Sequence, residues 1–348
     1  MAKDHKEALL ALLDRYRELG ISNQIDYDKF YLYSIIAHST AIEGSTVTEV
    51  EAQLLFDEGI TSSKRTMMEQ MMNLDLKNAY EYGLEWIKKH PLITSEGLIL
   101  LASKVMAHTG SEYNSIGGHF DASKGELRKL NVTAGLGGRS YMAFQKVPGA
   151  LATFCEELNH RRHEINIDNI LAVYELSFWV HYELVTIHPW ADGNGRTCRL
   201  LMNLIQAEFG VLPVKVMKED KAEYIQALIE TREKGRIDIF VDRMTELHCR
   251  HLEADIDRYV ESVGGKMVDK SNFIKEMVDK WSINSALAVK LADILLFVSG
   301  RTEVKTEDII TRFGFSVTTA KRYLRQLVEF GYLEPRGGNK NRKYEIRF

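Results

Sequence analysis

The segment from His188 to Arg199 combines side chains that can bind a polyphosphate and move a proton. It reads His-Pro-Trp-Ala-Asp-Gly-Asn-Gly-Arg-Thr-Cys-Arg. The pattern of residues 168–186 predicts a helix, which Pro189 cannot extend. Gly193 and Gly195 allow a tight turn with exposed amides. A new helix is predicted from about Arg196, and the free N–H groups and positive dipole at its start form an anion site.

The charged residues of this segment fit the same chemistry. Arg196 and Arg199 are spaced to project from one face of the first helical turn, and two guanidiniums beside a nest of amides suit a polyphosphate. Asp192 offers an oxygen ligand to a hard cation, and His188 can accept a proton. A capping histidine, a simple turn and a solvated arginine face are the ordinary alternatives. The occurrence of a base, an acid, a glycine-containing turn and two arginines in one short segment favours the functional interpretation.

A second short motif lies near the start of the chain. Ser39-Thr40-Ala41-Ile42-Glu43-Gly44 closes an apolar-periodic helix that begins near Tyr27, with Gly44 as its C-cap. Taken alone, the motif fits an ordinary helix end with a solvated glutamate.

The segment at His188 resembles the signature of the Fic family, H-P-F-x-D/E-G-N-G-R-x-x-R. Trp190 replaces the usual phenylalanine, and Ile187 matches the isoleucine that usually precedes the histidine. The resemblance implies a protein adenylyltransferase that moves AMP from ATP to a tyrosine, threonine or serine hydroxyl of a protein. His188 would be the base and Asp192 would hold Mg²⁺. Phosphate contacts would come from Gly193, Asn194, Gly195, Arg196 and Arg199, with Asn194 on the α-phosphate.

The resemblance extends beyond this segment, over roughly residues 25–245. Residues 125–128 and 129–144 are similar to the family's flap over the active site, although Leu127 replaces an aromatic residue and only Pro148 remains of a proline pair. Tyr224 is similar to a residue that contacts the base or ribose. Packing between helices is an equally good interpretation of Tyr224.

The motif at Ser39 is similar to the family's inhibitory motif, S/T-x-x-x-E-G/N. This resemblance implies autoinhibition, with Glu43 in a bidentate pair with Arg199 where the γ-phosphate should be held. Ser39 would help to fix the helix end. Two alternatives remain within enzymes: AMP removal with Glu43 orienting a water, and transfer of another phosphate-containing group. The resemblance does not identify the protein substrate, and the chain itself is one candidate. The target segment of the substrate would dock along the flap edge as an added strand.

The elements that must position these residues are mainly α-helical. Apolar periodicity predicts helices at 64–89, 150–162, 168–186, 196–209 and 221–234. The glycine-containing stretch 109–146 predicts a loop and a small hairpin. The predicted fold class is a Fic-type helical core with a small β-hairpin flap, followed by a C-terminal winged helix-turn-helix.

Composition changes near residues 262–272, which indicates a domain boundary. The predicted domains are 1–95, a helical region with the inhibitory helix; 96–262, the Fic core; and 271–348, the winged helix. The last domain is predicted from helices at 284–298, 306–312 and 316–330, with Thr306 and Ser316 as N-caps, and from two strands around a turn.

The winged helix suggests a function of another class, a DNA-binding regulator. Residues 321–348 contain eight Lys or Arg against three Glu. Such helices enter the major groove in winged-helix proteins, with Arg322 and Arg325 as the expected contacts here. Protein contacts or homodimerisation are the alternatives for this module.

Overall composition restricts the class of protein. A net charge of −4 argues against a surface that coats nucleic acid along its whole length, and three unpaired cysteines argue against a disulfide framework. The N-terminal segment lacks a signal-peptide pattern, and no apolar run approaches the ~20 residues of a membrane span. The expectation is a soluble, cytoplasmic protein without a membrane partner. The groups His248, Cys249, His251 and His160, His163, Glu164 are predicted to be surface or packing residues.

Overall fold

Helices form most of the described part of the chain, as the periodicity predicts. The structure is a computed structural model and describes residues 5–24, 26–134, 140–262, 270–281, 283–299, 303–338 and 342–347. Its first helices are α1 (His5–Glu18), α2 (Tyr27–Ile42), α3 (Glu49–Glu58), α4 (Met67–Ile87) and α5 (Ser95–Val105). A two-stranded antiparallel hairpin follows, with β1 (Glu112–Ser115) and β2 (Gly118–Asp121).

The second half of the core is a further run of helices. They are α6 (Val147–Glu164), α7 (Ile170–Ile187), α8 (Asn194–Glu208), α9 (Lys221–Lys234) and α10 (Ile237–Ser262). All five regions predicted to be helical are confirmed, with ends shifted by a few residues. The helix beginning at Tyr27 is also confirmed, and Gly44 follows its end with a positive φ of 105°.

The chain divides into two compact units. The first contains the described residues up to Leu10 together with Asp28–His251, and the second contains Ala11–Tyr27 and Leu252–Phe348. The predicted domain limits at 95/96 and 262/271 stay a prediction, because the boundaries of the two compact units lie at other positions in the sequence. The composition change at 262–272 lies largely outside the described residues.

Helix α8 is the centre of the first unit. Every residue from Arg196 to Gln206 is buried, and α4, α5 and α7 pack around it. Two of its buried polar side chains bond to neighbouring helices: Asn203 accepts from the Tyr80 hydroxyl, and Gln206 donates to the Ser177 hydroxyl. Because these hydrogen bonds hold α8 in one position, the loop at its start is well supported.

The expectation that no apolar run approaches the length of a membrane span does not hold for one helix. Helix α7 is long and apolar enough to cross a bilayer by length and composition, although 56% of it is buried inside the fold. It packs against α6 and α8. Its apolar character therefore reflects its place in the protein core.

The stretch 109–146 contains the predicted hairpin, but the regular ladder is β1–β2 rather than the flap. Within 129–144, one isolated antiparallel bridge joins Thr133 and Ser140, and the Tyr141 N–H donates to the Val132 carbonyl at 3.0 Å. Residues 135–139 of the predicted flap lie outside the described residues.

The second unit contains the predicted C-terminal elements. They are α11 (Lys270–Trp281), α12 (Ser285–Ser299), β3 (Val304–Lys305), α13 (Thr306–Phe313), α14 (Val317–Glu329), β4 (Leu333–Arg336) and β5 (Lys343–Ile346). The strands form one antiparallel sheet in the order β3-β5-β4. Ser316 caps α14 as predicted, whereas α13 is preceded by Lys305, so that Thr306 is its first residue. Part of the turn between β4 and β5 lies outside the described residues. The winged helix-turn-helix assignment stays a prediction.

Candidate active site

The loop between α7 and α8 begins at His188 in an unusual backbone conformation. His188 follows the last residue of α7 and has φ 52° and ψ 63°, the left-handed region that non-glycine residues rarely adopt. The loop is short because α8 begins at Asn194, two residues before the predicted start. His188 is thereby held at one end of the loop and the α8 N-terminus at the other.

Asn194 and Trp190 brace this loop from inside. The Asn194 side chain accepts from the Trp190 N–H at 3.1 Å and donates to the Trp190 carbonyl at 2.8 Å. The buried Trp190 indole donates to the Gly125 carbonyl at 2.9 Å. The Asn194 side-chain amide, expected on the α-phosphate, thus braces the loop through Trp190.

Arg128 connects the loop to the flap, and sequence reasoning assigned it no role. Its Nε donates to the His188 carbonyl at 2.7 Å, and its backbone N–H donates to the Pro189 carbonyl at 3.0 Å. The two terminal nitrogens donate to the carbonyls of Leu130 and Met142, on the two sides of the flap. This 1% exposed arginine therefore fixes both flap ends to the backbone of the candidate base.

The His188 imidazole is half-buried and covered on one face. The Tyr141 ring stacks on it, with 3.8 Å between centroids and 17° between planes. His188 Nδ1 lies 3.4 Å from the Val185 carbonyl oxygen. Burial lowers the pKa of His188 to about 4, and the Arg128 and Arg232 cations act in the same direction. The ring is therefore neutral at neutral pH and can accept a proton.

The first turn of α8 presents backbone donors to the site. Gly193 has φ 78° and forms no side-chain cap, so the first N–H groups of α8 are not capped by its preceding residue. A Cβ at Gly193 would collide with Met106 Sδ. Both the positive φ and the lack of space for a side chain therefore favour glycine at this position. Asp192, the expected Mg²⁺ ligand, is exposed and accepts from the Gly193 N–H at 2.6 Å.

Arg196 and Arg199 do not project together as predicted. Arg196 turns towards the end of α5, with its terminal nitrogens 3.3 Å from the Val105 carbonyl and 3.0 Å from Met106 Sδ. Its side chain is buried, and its Nε has no hydrogen-bond partner among the described residues. The nearest Asp192 oxygen is 4.0 Å away.

Arg199 turns to the end of α2 and meets the predicted inhibitory motif. Its Nε donates to Ser39 Oγ at 2.9 Å, and one terminal nitrogen donates to the Ser39 carbonyl at 2.9 Å and to Glu43 Oε1 at 2.6 Å. The expected bidentate pair is wrong, because Glu43 receives one terminal nitrogen only, and Ser39 takes Nε and shares that same nitrogen. Burial would raise the pKa of Glu43, but Arg199, Arg196 and Lys221 outweigh it, and the net shift is downwards.

Further contacts fix the end of α2. Lys221 Nζ donates to the Ile42 carbonyl at 2.6 Å. The fully buried Asn73 accepts from the Thr40 hydroxyl at 2.9 Å and donates to Ser45 Oγ at 3.2 Å. These contacts place Glu43 directly over the start of α8, where a Cβ on Gly195 would collide with Glu43 Oε1.

Tyr224 lies in the protein interior. It is 2% exposed, and its hydroxyl is 2.9 Å from His181 Nε2. The rings of His181 and Phe240 pack around it. The structure therefore favours the packing interpretation of Tyr224 over a contact to base or ribose.

The histidine groups that were set aside have protein partners. His248 Nε2 is 3.1 Å from the Tyr174 hydroxyl, and His251 Nε2 is 2.8 Å from Asp220. His160 pairs with Glu164 at 3.4 Å. Within the described ranges, no three His, Cys, Asp or Glu side chains are grouped to hold a metal.

The fold and this loop together match a known family. A profile of the Fic/DOC family matches residues 92–206. The chain is similar to a solved Fic domain containing signaling protein from Bacteroides thetaiotaomicron, with a TM-score of 0.57 and 21% identity, covering 73% of this chain and 97% of that one. A Fic family protein from Desulfovibrio desulfuricans has a TM-score of 0.58 and 18% identity, with 99% and 94% covered. Residues 92–206 are thus a Fic/DOC family domain.

The sequence is also similar to proteins named protein adenylyltransferase. The one from Caenorhabditis briggsae, fic-1, is 26% identical over 237 residues, which cover 67% of this chain and 42% of that protein. The one from Nematostella vectensis, Fic, is 28% identical over 230 residues, which cover 65% and 48%. The chain therefore spans less than half of the length of these relatives.

Proposed function

We propose that the Fic/DOC domain transfers AMP from ATP to a hydroxyl group of a protein and that Glu43 restrains this reaction. The observation that carries the proposal is the loop geometry: a neutral His188 at one end and the uncapped amides of α8 at the other. The similarity to proteins named protein adenylyltransferase supports the same reaction.

In the proposed reaction, the phosphates of ATP lie over the amides of Gly193 to Gly195. The acceptor hydroxyl oxygen attacks the α-phosphorus, the bond from the α-phosphorus to the bridging oxygen breaks, and pyrophosphate leaves. His188 takes the hydroxyl proton through Nε2, since Nδ1 faces the Val185 carbonyl. Holding the reactants in line and aiming donors at the developing charge would supply most of the rate enhancement.

Asp192 fits a Mg²⁺ ion of the kind that accompanies ATP. Its carboxylate is 62% exposed at the mouth of the loop. Mg²⁺ commonly uses one or two carboxylates and completes its shell with substrate phosphates and waters. The ion would offset charge on the leaving pyrophosphate. A single carboxylate suits an ion that arrives with the nucleotide.

Glu43 would restrain the reaction by charge and by position. Its carboxylate lies over Gly195 and engages Arg199, so it stands beside the amides that phosphate oxygens need. Phosphates displaced by this carboxylate would leave the α-phosphorus out of line with the acceptor. A misplacement of about 1 Å can cost roughly a hundredfold in rate.

The test uses ATP labelled at the α- or the γ-phosphate. Wild type, Glu43→Gly and the His188→Ala/Glu43→Gly double variant are incubated with lysate proteins. We expect α-label on protein, a rate about 10- to 100-fold higher for Glu43→Gly than for wild type, and a loss of about 10²–10⁴ on adding His188→Ala. Glu58→Gly, an exposed glutamate at the end of α3, is the matched control.

The outcomes separate the alternatives. Transfer of γ-label with no α-label would contradict AMP transfer and favour another phosphate-containing group. Release of AMP from a modified protein by wild type, lost in Glu43→Gly, would favour removal with Glu43 orienting a water. Label on the chain itself would identify it as one of its own substrates.

A second candidate function, DNA binding by residues 271–348, is favoured by a basic concavity. A cavity of about 270 Å³ is lined by Lys321 and Arg325 of α14, Arg342, and Tyr344 of β5. Lys321 and Arg325 have no carboxylate partner in the described part of the chain. Arg322 lies 5.1 Å over the Tyr323 ring. Such clusters suit phosphate backbones.

Salt dependence tests this candidate. A duplex mobility shift that weakens steeply with salt, and weakens further in Lys321→Ala/Arg325→Ala, would support it. Lys280→Ala on α11 is the control. Absence of a shift at micromolar protein, with the module folded, would favour protein contacts or dimerisation.

A further inference from the structure

Three side chains from three parts of the first unit form a stack at the candidate base. The Tyr141 ring lies on the His188 imidazole, with 3.8 Å between centroids. On Tyr141 in turn lies Arg232 of α9, with its guanidinium carbon 5.0 Å from the ring centroid. Neither Tyr141 nor Arg232 belongs to the His188–Arg199 segment: Tyr141 lies in the stretch 129–144 that resembles the flap, and neither residue was singled out as a site residue.

The other contacts of His188 leave its ring plane weakly defined. Arg128 holds the backbone carbonyl, and Nδ1 meets the Val185 carbonyl at 3.4 Å, which is long for a hydrogen bond. Rotation of an imidazole about its last torsion is broad unless a neighbour limits it. The Tyr141 ring, nearly parallel to the imidazole at 3.8 Å between centroids, is a contact that limits it.

We propose that Tyr141 is a positioning residue for His188: its ring fixes the plane of the imidazole, and Arg232 holds that ring in place. The inference rests on the proposed transfer reaction, in which His188 Nε2 takes the proton of the attacking hydroxyl group. Phenylalanine would preserve this function, because it depends on the ring face and the cation above it rather than on the hydroxyl.

The stack also affects the charge of the base. The ionised groups facing His188 are Arg128 before the flap, Arg232 on α9 and Glu43 after α2, and burial is the largest influence on its lowered pKa of about 4. Tyr141 covers one face of the imidazole. Without that ring, water would reach this face, and the pKa would rise towards its ordinary value of about 6.5.

The first test is an NMR titration of the His188 ring in the full chain. His188→Ala identifies the signal, and Tyr141→Leu is compared with Tyr141→Phe. We expect a midpoint near pH 4 in wild type and Tyr141→Phe, and a rise of at least about one unit in Tyr141→Leu. Equal midpoints in all three proteins would overturn the proposal whether or not the chain transfers AMP.

The second test measures α-label transfer in the Glu43→Gly background. Tyr141→Leu should lower kcat about tenfold while the KM for ATP changes less than about twofold, and Tyr141→Phe should restore most of the rate. Arg232→Gln should give a smaller loss in the same direction. Unchanged kcat in Tyr141→Leu would overturn the positioning function. Absence of transfer in the Glu43→Gly parent itself would contradict the proposed reaction and leave the titration to decide on Tyr141.

Discussion

The two arginines of the first α8 turn have opposite electrostatic settings. Arg199 is surrounded by acceptors: Ser39 Oγ, the Ser39 carbonyl and the Glu43 carboxylate. Arg196 is equally buried but has a carbonyl at 3.3 Å, a sulfur atom, the Thr109 hydroxyl at 3.5 Å and a buried Nε without a partner in the described structure. One cation is neutralised within the protein, and the other is not.

The acids near Arg196 explain the difference. Asp192 is exposed and 4.0 Å away. The buried Asp75 accepts from the His108 N–H at 2.8 Å and lies 2.6 Å from its Nδ1, so its carboxylate is already engaged. A buried cation without a close counter-ion is unfavourable. Arg196 is thus the arginine suited to an incoming anion, whereas Arg199 holds the end of α2.

Arg196→Met gives the largest expected effect and would test this comparison directly. In the Glu43→Gly background, α-label transfer should fall by about 10²–10³, as when one charge-stabilising donor is removed from an active site. The free energy of unfolding should stay the same or increase by about 1 kcal/mol, because a poorly compensated buried charge is removed. Initial rates and urea denaturation measure both. A large loss of stability would contradict the assignment of Arg196 to the ligand.

Arg199→Met, unlike Arg196→Met, should lower the stability of the protein. It removes the donors to Ser39 and leaves Glu43 unpaired, so the free energy of unfolding should fall by about 2 kcal/mol. Urea denaturation beside Arg196→Met gives the comparison. An equal loss of stability in the two variants would contradict the difference proposed between the surroundings of Arg196 and those of Arg199.

Glu43→Gln should have the smallest effect, and one that depends on pH. The pKa of Glu43 is lower in the fold than in the unfolded chain, so its ion pair stabilises the protein above about pH 4.3 and is lost as pH falls through the folded pKa. We expect wild type to be more stable by about 1 kcal/mol at pH 7, because Glu43 is partly exposed, and the difference to shrink below about pH 4. Glu58→Gln is the control. A difference that persists at pH 3 would mean that the carboxylate charge is not its source.

The sequence predicted the helices and the meeting of Arg199 with Glu43, for different reasons. Apolar periodicity located α6, α7 and α9 because each buries one broad face. The same kind of pattern located α8, although every residue from Arg196 to Gln206 is buried. The pairing of Glu43 with Arg199 joins positions 156 residues apart, and only the resemblance to the Fic family indicated it. Its geometry was wrong, because nothing in the spacing reveals that Ser39 competes for the same guanidinium.

The remaining site residues were not predictable from local pattern. Asn194 was assigned to phosphate, yet its side chain closes the loop onto Trp190, since a residue in a turn can satisfy either partner. Arg128 had a weak signal, as a charged residue within the segment 125–128 that is similar to the start of the family's flap. Tyr141 was placed only in the predicted flap at 129–144, and its contact with His188 was not predictable because it depends on how the flap returns to the loop.

The position of His188 at the end of α7 has a consequence for the proton itself. The last carbonyls of a helix carry the negative end of its macrodipole, equivalent to roughly half a charge. Nδ1 of His188 lies against one of them, the Val185 carbonyl. This field acts little on a neutral imidazole and favours an imidazolium. A ring that takes up the acceptor's proton would thus be stabilised by the helix that positions it, at the moment when its charge appears.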